Sequence, residues 1–262
     1  MTRRVRRWQQ SDEQVRAALA AVMRCLEITA TTPFGVVSGR PWGISLDGIL
    51  ASVLWEDAKQ LVDPAGARVV EPYSPAVSPP DLALPLQRCV APDGTWHWMC
   101  TFGLVDHPDD DLDVRLRTRR TDHTGMNRLA ETVSANIFDT RGRYRARTVP
   151  ALAAVTSTVR WRAVGDATEI NDLLVRVGEI GKHRNTGEGV VTDWTITPAA
   201  PEQSQWAYGH EHQPGVLGRI APAHCVHTAP TPVREHGGRS RAAIRPPYIH
   251  ASRVTEAYLP AY

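Results

Sequence analysis

Gly178-Glu-Ile-Gly-Lys-His-Arg-Asn-Thr-Gly-Glu-Gly189, followed by Val190-Val-Thr-Asp-Trp-Thr-Ile-Thr197, packs four glycines and the basic triplet Lys182, His183, Arg184 into one loop. A helical pattern precedes the loop and an alternating strand follows it. Glycine takes positive φ without strain and lets a backbone approach another molecule closely. A basic, glycine-rich turn therefore suits a phosphate backbone. The stretch is not a nucleotide-enzyme loop: it lacks the terminal Gly-Lys-Ser/Thr of a P-loop, and a strand rather than a helix follows. It also reads as a loose turn with solvated charges.

Working outward, Val155–Val164 reads as a strand and Gly165-Asp166 as a turn. Asp166 caps a helix with Ile170, Leu173, Leu174 and Val177 on one face. Cys25–Thr32 alternates and is β-rich, which predicts a strand. Leu46, Ile49, Leu50, Val53 and Leu54 share a helical face behind the N-cap Ser45, with the helix expected to run to about Leu61. Leu84–Val90 and Thr95–Thr101 read as two strands joined by the turn Ala91-Pro-Asp-Gly94. Trp96 and Trp98 share a face of the second strand, either as a stacking platform or as core. Residues 62–83 are proline-rich and irregular. Residues 1–24 read as a basic arm and a helix from Asp12 to Arg24.

Between the hairpin and the second helix, residues 106–148 change character. An acidic run, Asp106–Asp113, leads into Arg115, Arg117, Arg119 and Arg120, and the segment closes on Asp139-Thr-Arg-Gly-Arg-Tyr-Arg-Ala-Arg147. Arg141, Arg143, Arg145 and Arg147 surround Tyr144 there: cations for phosphate and an aromatic for stacking. A solvated surface insertion is the alternative. The element order suggests an α+β fold, a ferredoxin-like domain over residues 25–197 with an arginine-rich insertion at 106–148. Residues 198–262, rich in proline, histidine and glycine, are expected to drape over the domain as a C-terminal extension.

The chain has 262 residues and a formal net charge of only +2, which excludes a polycation as a whole. Lys59 and Lys182 are its only lysines, so arginine supplies nearly all positive charge. Arginine's planar fork suits phosphates and base faces, although a GC-rich genome gives the same bias. Cys25, Cys89, Cys100 and Cys225 form no CxxC pair, which favours a reducing, cytoplasmic setting. The twin arginines near the start lack a following apolar core, so no export signal is expected, and no apolar run is long enough for a membrane span. His210, His212, His224, Cys225 and His227 invite a zinc reading, but no pair matches common finger spacing, and no metal or cofactor is expected. Gly-x-Ser-x-Gly and His-Glu-x-x-His are absent.

Four segments carry a family resemblance: Ile44-Ser-Leu-Asp-Gly-Ile-Leu-Ala51; Asp139-Thr-Arg-Gly-Arg-Tyr-Arg-Ala146; Trp161-Arg-Ala-Val-Gly-Asp166 with Ile180–Val191; and Arg245-Pro-Pro-Tyr248. In their order and spacing, over roughly residues 25–250, the chain resembles the RAMP subunit of type IV CRISPR effector complexes, the counterpart of the guide-RNA 5′-end-capping subunit of type I systems. The resemblance implies an RNA-recognition-like RAMP domain that grips a guide RNA, or another small RNA, in defence against mobile genetic elements. It implies two protein partners, a repeated backbone RAMP subunit and a large subunit, and no catalysis. The RNA contacts it implies are Gly181, Lys182, His183, Arg184, Gly187 and Gly189, then Arg141, Arg143, Tyr144, Arg145 and Arg147, then Arg115, Arg117, Arg119 and Arg120. The family often has an aromatic before the last glycine of the loop. Here Glu188 stands there, placing a negative charge near phosphate. Two other functions stay open: a metal-independent endoribonuclease using His123, Tyr144 and His183, and a docking protein acting through its tail.

Overall fold

The computed structural model describes residues 23–61, 74–105, 112–122, 125, 145–184, 187–200 and 202–261. The N-terminal arm, most of its expected helix, and Arg141, Arg143, Tyr144 and His123 lie outside these. Arg24, expected to end that helix, opens a strand instead.

The centre is a four-stranded antiparallel sheet built from β1 (Arg24–Thr31), β5 (Leu104–Val105), β8 (Thr158–Gly165) and β9 (Asp193–Pro198), in the order β5-β8-β1-β9. Two helices connect its strands. Helix α1 (Leu46–Lys59) lies between β1 and β5 in the chain, and α2 (Ala167–Leu174) between β8 and β9. The alternation read in the first strand decides which face of the sheet is buried. Leu26, Ile28 and Ala30 are fully buried, while Glu27 is exposed and Thr29 half-buried. They meet the predicted α1 stripe, in which Leu46 and Leu50 are also fully buried, together with Ile170 and Leu174 of α2. Each of these leucines and isoleucines contributes roughly 1.5–3 kcal/mol. Both predicted caps form: Ser45 Oγ accepts from Gly48 N at 3.2 Å and Asp166 Oδ1 from Glu169 N at 3.0 Å.

The predicted hairpin is β3 (Arg88–Val90) and β4 (Trp96–Trp98), turning at Gly94 with φ 81°. Trp98 is buried, and Trp96 lies between the guanidinium groups of Arg88 and Arg245, 4.2 and 4.3 Å from its ring centre. The two rings meet edge to face at 5.1 Å, and both belong to the core rather than to an open platform. Between β5 and β8 the chain makes a second hairpin, β6 (Leu112–Arg119) and β7 (Arg147–Ala154). Its β7 pairs with β2 (Val36–Val37). Strand β7 therefore continues past the expected end of the insertion, and β8 starts at Thr158 rather than Val155.

The C-terminal extension is more regular than its weak periodicity predicts. It contains α3 (Gln205–His210), the β10 (Glu211–Gln213) and β11 (Val216–Leu217) pair, and α4 (Ala223–His227). A three-stranded sheet follows, ordered β12 (Ala221–Pro222), β14 (Val254–Tyr258), β13 (Arg239–Ala243). Strands of two to five residues are too short to leave a periodic signal. The extension shares a small core with the domain: Ile220, Ile244 and Ala257 pack on Phe102. Arg219, fully buried, donates to the carbonyls of Trp98, Cys100 (2.9 Å) and Ile244 (2.8 Å). Among the described residues, no helix is long and apolar enough to cross a membrane.

Candidate nucleic-acid interface

The glycine loop is a closed structure. Ile180 N donates to Gly189 O (2.8 Å) and Val191 N to Gly178 O (2.8 Å), a short antiparallel neck below the basic triplet. The loop then leans on the β2 segment, with Lys182 N donating to Val37 O (2.8 Å) and Gly189 N to Gly35 O (3.2 Å). Two glycines are required for this. Gly181 has φ 87°, and a Cβ there would lie 2.6 Å from Val37 O. Gly189 has φ 65°, and a Cβ would lie 1.9 Å from Ile180 O. These two serve the loop's own packing, and Gly189 is buried. Gly187, with φ 84° and open space where a Cβ would stand, is the one of the three positioned for close approach by another chain.

Lys182 and Arg184 are exposed and His183 is half-buried with φ 60°. The Lys182 stem runs beside Gly39, where a Cβ would lie 2.5 Å from its Cε.

The arginine strand meets this loop. In β6, Asp113, Arg115, Arg117 and Arg119 point to one face, and their direct partners across the ladder are Ala153, Ala151, Val149 and Arg147. The Asp113–Arg117 part of that face turns toward the domain. There Glu188, only 1% exposed, forms ion pairs with Arg115 Nη1 and Arg117 Nη2. Arg115 also bonds Asp113 (3.1 Å) and the Phe34 carbonyl (2.9 Å). Arg115 and Arg117 therefore clamp the hairpin to the loop through Glu188, a role different from the phosphate contact expected of them. The pairing also answers the concern about Glu188's charge, since the two guanidiniums balance the carboxylates of Glu188 and Asp113.

Arg119 and Arg147, direct cross-strand partners, lie two residues beyond the clamp, about 7 Å along the strand. They are exposed, as are Arg120 and Arg145. The structure thus joins the glycine loop, through Glu188, to the strand pair that carries Arg115, Arg117, Arg119 and Arg147. Glu188 is the joining residue that motif reading missed. Its oddity was visible in the sequence, but its partners, 71 and 73 residues away, were not. Among the histidine-rich tail residues, His210 and Cys225 are buried together against Cys89 and His97.

No family model and no curated protein matches the chain. Among solved structures, it is similar to a chain in the cryo-EM structure of the type III-B Cmr-beta bound to cognate target RNA, at 10% identity and a TM-score of 0.32, over 76% of this chain and 68% of that one.

Proposed function

We propose that this chain is a non-catalytic RNA-binding subunit of a type IV CRISPR ribonucleoprotein, capping the 5′ end of a guide RNA in the cytoplasm and docking the repeated backbone and large subunits. The observation that carries the reading is the Glu188 clamp. It ties a glycine loop to an arginine-bearing hairpin that is distant in sequence. Three further features support it. The sheet order β5-β8-β1-β9 with its two connecting helices follows the ferredoxin-like plan expected of a RAMP domain. The insertion enters between the second and third strands of that sheet. The cations at its rim are mostly arginines, which suit phosphate.

Ordering the backbone before RNA arrives lowers the entropy cost of binding. Exposed Lys182, Arg184, Arg119, Arg120, Arg145 and Arg147 would meet phosphates, and Gly187 would admit the chain closely. Recognition of this kind reads shape and 2′-hydroxyls as well as sequence.

The test is co-expression of the tagged chain with its neighbouring genes, purification at moderate salt, and sequencing of bound RNA. A multi-subunit particle holding RNA of uniform length and defined 5′ end is the expected result. An RNA-free monomer would sink the proposal. Lys182→Ala/Arg184→Ala should weaken RNA binding roughly tenfold and flatten the salt dependence by about 0.7 in slope for each phosphate no longer neutralised. An unchanged salt slope would place the RNA elsewhere. Guide cleavage that disappears in His183→Ala would transfer the assignment to an endoribonuclease.

A further inference from the structure

Cys89 and His97 are direct partners across the β3–β4 ladder, so their side chains leave the same face of the hairpin. Onto that face come His210, the last residue of α3, and Cys225 of α4. His97 and His210 are fully buried, Cys225 is 2% exposed and Cys89 is half-buried. The four potential ligand atoms all lie within 4.8 Å of one another. The Cys89 and Cys225 sulfurs are 3.4 Å apart, His97 Nε2 is 3.1 Å from Cys225 Sγ, and the two Nε2 atoms are 3.4 Å apart.

The imidazoles are oriented from behind. His97 Nδ1 lies 3.1 Å from the Trp98 carbonyl and His210 Nδ1 2.7 Å from the Trp206 carbonyl. A carbonyl can only accept, so each Nδ1 carries the proton and each Nε2 turns a lone pair inward. The two Nε2 atoms, 3.4 Å apart in a buried site, thus face the two sulfurs. The outer ring nitrogen of each ligand held by a backbone carbonyl is the arrangement that fixes metal-ligating histidines. The Trp206 ring stacks on His210 at 4.6 Å and 7°, which fixes that ring's plane. His224 Nε2 lies 3.3 Å from Cys225 Sγ, placed to donate to a thiolate.

We propose that Cys89, His97, His210 and Cys225 form a structural zinc site that fastens the C-terminal extension to the β3–β4 hairpin. A tetrahedral ion with Zn–S near 2.3 Å and Zn–N near 2.0–2.1 Å sets ligand separations of about 3.3 Å for N–N and about 3.8 Å for S–S. The observed N–N separation agrees, and the sulfurs need move apart only by a few tenths of an ångström. An N2S2 donor set that can close to a tetrahedron selects zinc among common divalent ions. Four protein ligands in a largely buried shell leave no open position, so the ion's role is structural. Binding releases the thiol protons, and the two thiolates neutralise the ion's charge. The ligand spacing is unlike a finger because the first pair is set by strand register and the second by two short helices. The inference does not depend on the RNA-binding reading.

The experiment is metal analysis of the full chain, purified without added metal or chelator, with or without its RNA. About one zinc per chain is expected, released by a thiol-modifying reagent. Exchange into cobalt should give the visible bands of a tetrahedral ion with thiolate-to-metal charge transfer, and chelation should lower Tm by roughly 10 °C or more. Cys225→Ser should lose the metal. If that variant does not fold, the cobalt spectrum of the unaltered chain still decides. A metal-free chain with four free thiols whose Tm ignores added zinc would overturn the proposal. So would a Cys89–Cys225 disulfide, seen as a mass two hydrogens lower under non-reducing conditions. Zinc without RNA would leave the site standing while removing the guide-RNA function, and RNA without zinc would do the reverse.

Discussion

Asp47 shows how a single titratable group can be read through its neighbours. It is fully buried in the first turn of α1, and the Tyr248 hydroxyl lies 2.9 and 3.0 Å from its two carboxyl oxygens. Burial raises its pKa above the ordinary 3.8, while Arg219 and the hydrogen bonds from Ser45 and Tyr248 oppose the rise. The sign then follows from linkage. The folded state holds this proton more tightly than the unfolded state, so the group's contribution is fully present below the unfolded value and is lost as pH rises through the folded one. Asp47→Asn mimics the protonated carboxyl. The stability of the variant relative to the unaltered chain should therefore grow from about pH 4 to pH 7, read by urea unfolding at several pH values. A difference that shrinks over that range would mean that Arg219 keeps the carboxylate charged.

At the scale of elements, the glycine loop reaches the core through Ile180, and the β6–β7 hairpin buries the small side chains Ala151 and Ala153 against Val37. Val114 and Leu116 on the hairpin's outer face are 57% and 69% exposed. What holds the two together is the carboxylate of Glu188 between two guanidiniums, with the β2 segment bonded to both elements. Removing the carboxylate leaves two adjacent cations without their shared partner, at a cost of about 1–3 kcal/mol. Glu188→Ala should therefore speed hydrogen exchange at the amides of Ile180, Lys182 and Gly189 while leaving the β1–β8 ladder protected. Equal exchange in both forms would show that backbone bonds alone hold the loop. Because this variant keeps every cation but frees the surface to move, it should weaken RNA binding through added ordering cost rather than through lost charge.

For the whole molecule, the C-terminal extension is part of the core. Arg219 donates to the carbonyls of Trp98 and Cys100, Arg245 Nη1 to the Trp96 carbonyl at 3.0 Å, and Tyr208 packs with Cys25, Met99 and Val164 against the sheet. Truncation after Pro198 would strip these partners and expose Met99, Phe102 and Val164. The expected outcome is a chain without a cooperative thermal transition. A truncated chain that still unfolds cooperatively would make the extension an appendage. Three of the four segments of the family resemblance also meet here: Tyr248 meets Asp47, and Trp161 Nε1 donates to the Ile44 carbonyl at 2.8 Å. Their spacing along the chain thus reflects contacts within the fold.

The first strand, read as Cys25–Thr32 and observed at Arg24–Thr31, both central helices with their caps, the Gly94 turn and the glycine loop were legible because each follows from local rules of period, cap or φ that a short window contains. Three features were not legible, for one shared reason. The Cys89–His97 pairing depends on strand register, the Glu188 clamp on partners some seventy residues away, and the seat of Arg219 on carbonyls from two distant segments. Side chains far apart in sequence meet only when the backbone between them is placed, so spacing rules carry no trace of them. The amino-acid order determined which segments become helix, strand and turn. The tertiary packing decided which arginines hold the loop, which remain at the surface, and which histidines and cysteines share one buried site.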